Sequence, residues 1–218
     1  MTESSDKYLE ELIRYSEKTR GLFSNAQKSE REKMVCRGFL RCIDVQFQAR
    51  EILVGATEPV DISFRSAAFQ ITEVLDEGRR RNDELREREE KYRKARSVED
   101  VMELQGPSSE PLSFADMSSR VADRLNEKFC ALGGPRGCHG VDALVYVNLI
   151  GRHLWPAEFD SKCAGLSRVR SQGWRSVSVL MLPYGVVFFG TDDAPEFLRD
   201  IQGTISHDEN RIDGWFDP

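Results

Sequence analysis

The 218-residue chain lacks the features that mark a secreted, membrane or metal-scaffold protein. It has five cysteines, Cys36, Cys42, Cys130, Cys138 and Cys163, and no Cys-x-x-Cys pair. An odd count without paired spacing predicts no disulfide framework. Cys138-His139, His153 and Cys163 match no zinc-ribbon or zinc-finger spacing, so these are expected to be ordinary small core or surface residues. No apolar run reaches the roughly 18 residues of a membrane span. The best candidate, 177–189, is broken by Pro183-Tyr184-Gly185. The start MTESSDKYLEE has no apolar signal-peptide region, which predicts a cytoplasmic protein. Positive charge is not in excess either. Lys and Arg number 31 against 37 Asp and Glu, a net charge of -6. That balance excludes a globally basic nucleic-acid coat and leaves room for a local basic patch. Internal repeats and low-complexity tracts are absent as well.

What is present is an ordinary globular composition, 39% hydrophobic and 31% charged, long enough to bury a core without disulfides. Residues 6–20 read as a short helix, stopped by Gly21. A second helix is predicted over 25–43, where Val35, Phe39, Leu40 and Ile43 recur at three- and four-residue steps. Glu32 lies on or beside that apolar face. It is either a carboxylate aimed inward or the second half of a Ser29-x-x-Glu32 capping box. A short strand is expected over 45–50 and a loop over 55–59.

The most informative stretch is 59–81, PVDISFRSAAFQITEVLDEGRRR. Two alternating runs, 60–64 and 69–75, flank Arg65-Ser66-Ala67. The first carries Asp61, and the second carries Gln70, Thr72 and Glu73. Alternation along a strand puts Gln70 and Thr72 on one face and Glu73 on the other. Asp76-Glu77-Gly78 ends the run, and Arg79-Arg80-Arg81 opens a polar helix predicted over 79–105, with pairs such as Glu87/Lys91 and Glu89/Arg93 at helical spacing. A loop over 106–111 and a helix over 113–132 follow. The near-continuous apolar run 142–150 predicts a buried central strand. Residues 151–173 look irregular. A hairpin is expected from 176–182 and 186–190, with a short helix from Pro195 and a weakly structured tail. Helices, strands, helices, a buried strand and a hairpin, in that order, predict an α/β fold with a mixed sheet flanked by helices in a single domain.

A strand pair that converges an acid with polar groups is a rigid way to hold Mg²⁺ for phosphodiester hydrolysis. The nuclease pattern is PD…(D/E)xK. Here Pro59-Val60-Asp61 stands for PD with one residue inserted, and Gln70-Ile71-Thr72 stands for (D/E)xK. Asp61 is the one intact acid of the motif. Gln70 is neutral, and Thr72 lacks the lysine's charge.

The chain resembles a bacterial family described as an endonuclease domain of unknown function, of the restriction-endonuclease-like (PD-(D/E)xK) superfamily. The resemblance runs over roughly 20–200, through Ser24-Asn25-Ala26, Glu30-Arg31-Glu32, Pro59-Val60-Asp61, Leu75-Asp76-Glu77-Gly78-Arg79-Arg80 and Gln172-Gly173-Trp174-Arg175-Ser176. It implies a restriction-endonuclease-like domain over 21–203, between an N-terminal helix over 1–20 and a tail over 204–218. It also implies a Mg²⁺-dependent nuclease or a degenerate relative that still binds DNA or RNA. In such a site Asp61, Gln70, Thr72 and Glu32 would be the catalytic positions. Asp61, with Glu73 or Glu77, would hold the metal. Arg79, Arg80 and Arg175 would face phosphates. A homodimer is a candidate assembly, and no membrane partner or cofactor other than Mg²⁺ is expected. The alternative function is a non-catalytic interaction module that docks through the charged helix 79–105.

Overall fold

Apolar strands with both faces covered form the core of one compact unit of the computed structural model, which describes residues 2–22, 24–79, 81–101, 110–155 and 164–208. The chain divides into two compact units. The first comprises Met1–Arg31 and Glu77–Ser108, the second Glu32–Asp76 and Ser109–Pro218.

In the first unit, helix α1 (Thr2–Leu22) packs against a helix from the charged run. Chain order places α2 (Lys28–Cys42) next, with its first turn in this unit and the rest in the second. The strands β1 (Ile52–Val54), β2 (Ile62–Phe64) and β3 (Ala67–Leu75) follow in the second unit. The partner of α1 is α3 (Arg81–Lys94), whose Leu85 and Glu89 are buried. Arg20 and Arg93 both pair with Glu89, and Arg93 also reaches Glu17. The charged helix therefore spends one face on α1. It ends at Lys94, well short of 105. Asp100 turns the chain there by accepting from the backbone N–H groups of Arg96 and Ser97 at 2.8 and 3.1 Å. Residues 102–109 lie outside the described residues.

The second unit continues with β4 (Glu110–Leu112), α4 (Phe114–Ala131), α5 (Pro135–Cys138), β5 (Asp142–Asn148), β6 (Arg152–Leu154), α6 (Ala164–Arg170), β7 (Ser176–Met181), β8 (Tyr184–Gly190), α7 (Glu196–Arg199) and β9 (Thr204–His207). Its seven-stranded sheet has the order β1-β2-β3-β5-β7-β8-β9. The central β3, β5 and β7 run parallel, and the outer pairs are antiparallel. A small parallel pair, β4 with β6, stands apart. The architecture is a mixed sheet flanked by helices.

Alternation sorts the core into two layers. Ala143, Val145, Val147, Val177 and Val179 meet Met117, Val121 and Leu125 of α4 and Leu166 and Val169 of α6. Leu144, Leu180 and Val187, on the other face, meet Val35, Phe39 and Leu40 of α2 and Leu198 of α7. Each fully buried aliphatic or aromatic side chain contributes roughly 1.5–3 kcal/mol. α4 starts cleanly because Ser113 Oγ accepts from Asp116 N at 3.1 Å, an N-cap. It stops at Gly133 and Gly134, whose φ values of 80° and 84° suit glycine.

Further local expectations differ from the structure. Gly21 lies inside α1, which runs to Leu22, and 110–111, expected in a loop, belong to β4. Residues 45–50 form no strand. Glu51 caps the Gln48 N–H at 2.6 Å and draws the chain into a short 3-10 turn before β1. The stretch 151–173 contains β6 and α6, the latter held by Leu166 and Val169. The tail is structured at its start, where β9 pairs with β8. Ser29 lies inside α2 rather than at its start, so the capping box is not formed there, and Glu32 is buried.

Candidate functional site

The strand pair places Asp61 at the entry of β2 and Gln70 and Thr72 on the β3 face covered by α4. Asp61 is buried, as are Gln70 and Thr72. One carboxylate oxygen of Asp61, Oδ2, accepts two hydrogen bonds, from the Ile71 backbone N–H at 2.8 Å and from Gln70 Nε2 at 2.6 Å. Gln70 Nε2 also makes a long 3.4 Å contact with the Ile71 carbonyl oxygen. The amide orientation is fixed chemically. A flipped amide would set Oε1 against the carboxylate, acceptor against acceptor. Gln70 Oε1 is consequently buried with no hydrogen-bond donor among the described residues. An unpaired buried acceptor costs about 1–3 kcal/mol, so it calls for an explanation beyond packing.

Thr72 has a partner that sequence reading missed. Arg124, on α4, donates from Nε to Thr72 Oγ1 at 2.9 Å and from Nη1 to Glu127 at 2.5 Å. A guanidinium thus stands over the position where the motif calls for a lysine. The available hint was helical spacing, since Arg124 flanks the stripe of Val121 and Leu125.

The metal set does not assemble. Mg²⁺ takes about six oxygens at about 2.0–2.1 Å in near-octahedral geometry. Asp61 Oδ2 is already engaged by two N–H donors, and the neutral amide nitrogen of Gln70 fills the place beside it. Glu73 points to the opposite face and accepts from Asn148 Nδ2 at 3.1 Å. Glu77 is exposed and belongs to the other compact unit. Among the described residues no three His, Cys, Asp or Glu side chains are grouped to hold a metal ion. The residues present therefore do not fit Mg²⁺. Zinc fares no better. Burial pushes the Cys36 thiol up to about 12 and the Cys138 thiol up to about 11, so neither is a ready thiolate. Cys163 lies outside the described residues.

The arginines expected to meet phosphates are occupied or undescribed. Arg175 forks onto the fully buried Asp142, with Nε at 3.1 Å from Oδ1 and Nη2 on Oδ2. Nη2 also donates to the Ser66 carbonyl oxygen at 2.8 Å. Asp142 further accepts from Ser176 Oγ at 2.7 Å and from Ala68 N at 2.9 Å. Arg175 is thus a structural cation that ties the starts of β3, β5 and β7 together. Arg79 pairs with Glu84 at 2.6 Å within the first unit, and Arg80 lies outside the described residues. The neighbouring Gln172 and Trp174 are structural too. Trp174 Nε1 donates to Gln172 Oε1 at 3.1 Å, and Gln172 Nε2 donates to Asn126 at 3.2 Å.

A family model matches residues 4–212 and is described as "Putative endonuclease, protein of unknown function (DUF1780)". The chain belongs to this family. Among solved structures, a Pseudomonas aeruginosa strain PAO1 protein of unknown function, described as of the monooxygenase superfamily, is similar at 26% identity. The match covers 92% of this chain and 94% of that one, with a TM-score of 0.62. No curated protein matches the chain. The two descriptions name different chemistries. No helix among the described residues is long and apolar enough to cross a membrane.

Proposed function

We propose that this chain is a nuclease-like protein that binds nucleic acid and does not cleave it. The supporting observation is the Asp61–Gln70 pair. In the motif reading Asp61 takes the place of the first acid, and an uncharged amide, hydrogen-bonded to it at 2.6 Å, takes the place of the second. The family description supports the nucleic-acid half of this reading. The restriction-endonuclease-like assignment rests on the motif order and is compatible with a mixed sheet that presents Asp61, Gln70 and Thr72 together. The buried, unpaired Gln70 Oε1 and the arginine over Thr72 support a remodelled site rather than an ordinary core patch.

Calorimetry and cleavage assays test this together. Wild type is expected to give no Mg²⁺ or Mn²⁺ binding heat up to ~10 mM and no rise in melting temperature, since only a bound metal stabilises by mass action. Gln70→Glu places two carboxylates 2.6 Å apart, a spacing that only a cation or a shared proton relieves. That variant is expected to gain metal-dependent stabilisation, and adding Asp61→Ala should remove it. Plasmid, linear and single-stranded substrates should survive wild type with Mg²⁺. Mg²⁺-dependent cleavage by wild type that Asp61→Ala abolishes would overturn the proposal.

A further inference from the structure

The chain has 37 acidic residues, yet none falls within 128–141 or 164–175. The first stretch ends α4 and includes α5, and the second is α6 with the turn into β7. The two adjoin. A Cβ on Gly173 would lie 3.4 Å from the Pro135 carbonyl oxygen, and Gln172 is bonded to Asn126 of α4. Arg136, His139, Arg168 and Arg170 are exposed there, and Lys128 is half-buried. Unlike Arg175, neither Lys128 nor Arg136, Arg168 or Arg170 has a carboxylate in ion-pair range among the described residues. The guanidinium of Arg170 lies 4.5 Å over the Phe189 ring, which orients its plane while the N–H edge stays available. Asp193, which the Thr191 hydroxyl chiefly holds below the usual carboxylate range, acts on Arg175 and His139 from the next turn.

We infer that this surface, formed by the end of α4, α5 and α6, is the docking face for the phosphate backbone of duplex nucleic acid. The inference rests on the nucleic-acid-binding reading above and moves the contact away from Arg79 and Arg175. Cations without a carboxylate partner, on two adjoining stretches that carry no acid in a net-acidic chain, are the footprint of a polyanion partner. Binders of single strands add aromatic platforms on which bases stack. The exposed large apolar side chains among the described residues are Tyr8, Tyr15, Leu53, Val54, Ile150 and Trp155, and none lies in these stretches. The face is therefore built for backbone charge rather than for bases.

Fluorescence anisotropy with a ~20-base-pair DNA duplex between about 50 and 200 mM salt tests this, with a single strand of equal length alongside. Wild type is expected to bind the duplex more tightly, with affinity falling steeply as salt rises. Arg136→Glu with Arg168→Glu should weaken duplex binding at least tenfold. It should also flatten the log–log salt slope by nearly two, about 0.9 for each lost phosphate contact. Arg136→Gln with Arg168→Gln, gentler on folding, should flatten it in the same direction and decides the matter if the reversal variant is misfolded. Binding by wild type that either well-folded variant leaves unchanged would overturn this placement and leave the nucleic-acid reading standing. Preference for the single strand would overturn the duplex assignment. A wild type that binds neither would overturn both.

Discussion

Replacing Arg175 by alanine would leave the Asp142 carboxylate buried with its hydroxyl and amide donors but without its cation. Breaking one partner of a buried pair typically costs about 3–5 kcal/mol. Urea unfolding of Arg175→Ala is expected to show a loss of that order, and a loss under ~1 kcal/mol would show that the fork matters little to the fold. The same residue shows what was legible at this scale. Sequence spacing correctly places Gln70 and Thr72 on one strand face and Glu73 on the other. It does not show that Arg175 faces inward, because the partner that claims it lies 33 positions away. Arg124 was hidden for the same reason, with Thr72 52 positions away. Local pattern fixes the side of an element on which a residue sits. Distant pairing decides whether its charge is spent or offered.

At the level of elements, α4 and β5 were readable, as were the short β2 and α7, whereas the helix expected over 79–105 ends at Lys94, and β6, α6 and β9 were missed. α4 carries an apolar stripe through Val121, Leu125 and Phe129, and β5 was a near-continuous apolar run, so both were apparent. β6 and β9 have three and four residues, too few for alternation to stand out. In the seven-residue α6, the buried Leu166 and Val169 are interspersed with Ser167, Arg168 and Arg170, a weak helical signal. The start of α4 offers a direct measurement. Ser113→Ala removes the N-cap acceptor of Asp116 N and the hydroxyl that donates to the Asp116 carboxylate at 2.8 Å. A loss of about 1 kcal/mol in unfolding free energy is expected. An unchanged midpoint would mean that solvent caps this helix equally well.

For the whole molecule, the sheet order makes the centre and the rims unequal. β5 and β7 are enclosed by neighbours on both sides, whereas β1 and β9 form the edges. β1 also leaves Leu53 and Val54 exposed. Native-state hydrogen exchange is expected to find its slowest amides in β5 and β7, near Val145 and Val179, with those of β1 and β9 exchanging earlier. Slowest exchange at the edges would contradict this order of opening. The layered α/β architecture was legible from the order of helical and strand patterns. The division into two compact units was not, because the first joins segments from 1–31 and 77–108 that sequence order separates.

The amide of Gln70 has a genetic corollary. Glutamine is encoded by CAA or CAG and glutamate by GAA or GAG, so the two differ in the first base alone. A point mutation at codon 70 would set a second carboxylate against Asp61 with the strand pair unaltered. The neutral site is therefore a state that a lineage can enter or leave in one mutational step, without passing through a rearranged sheet.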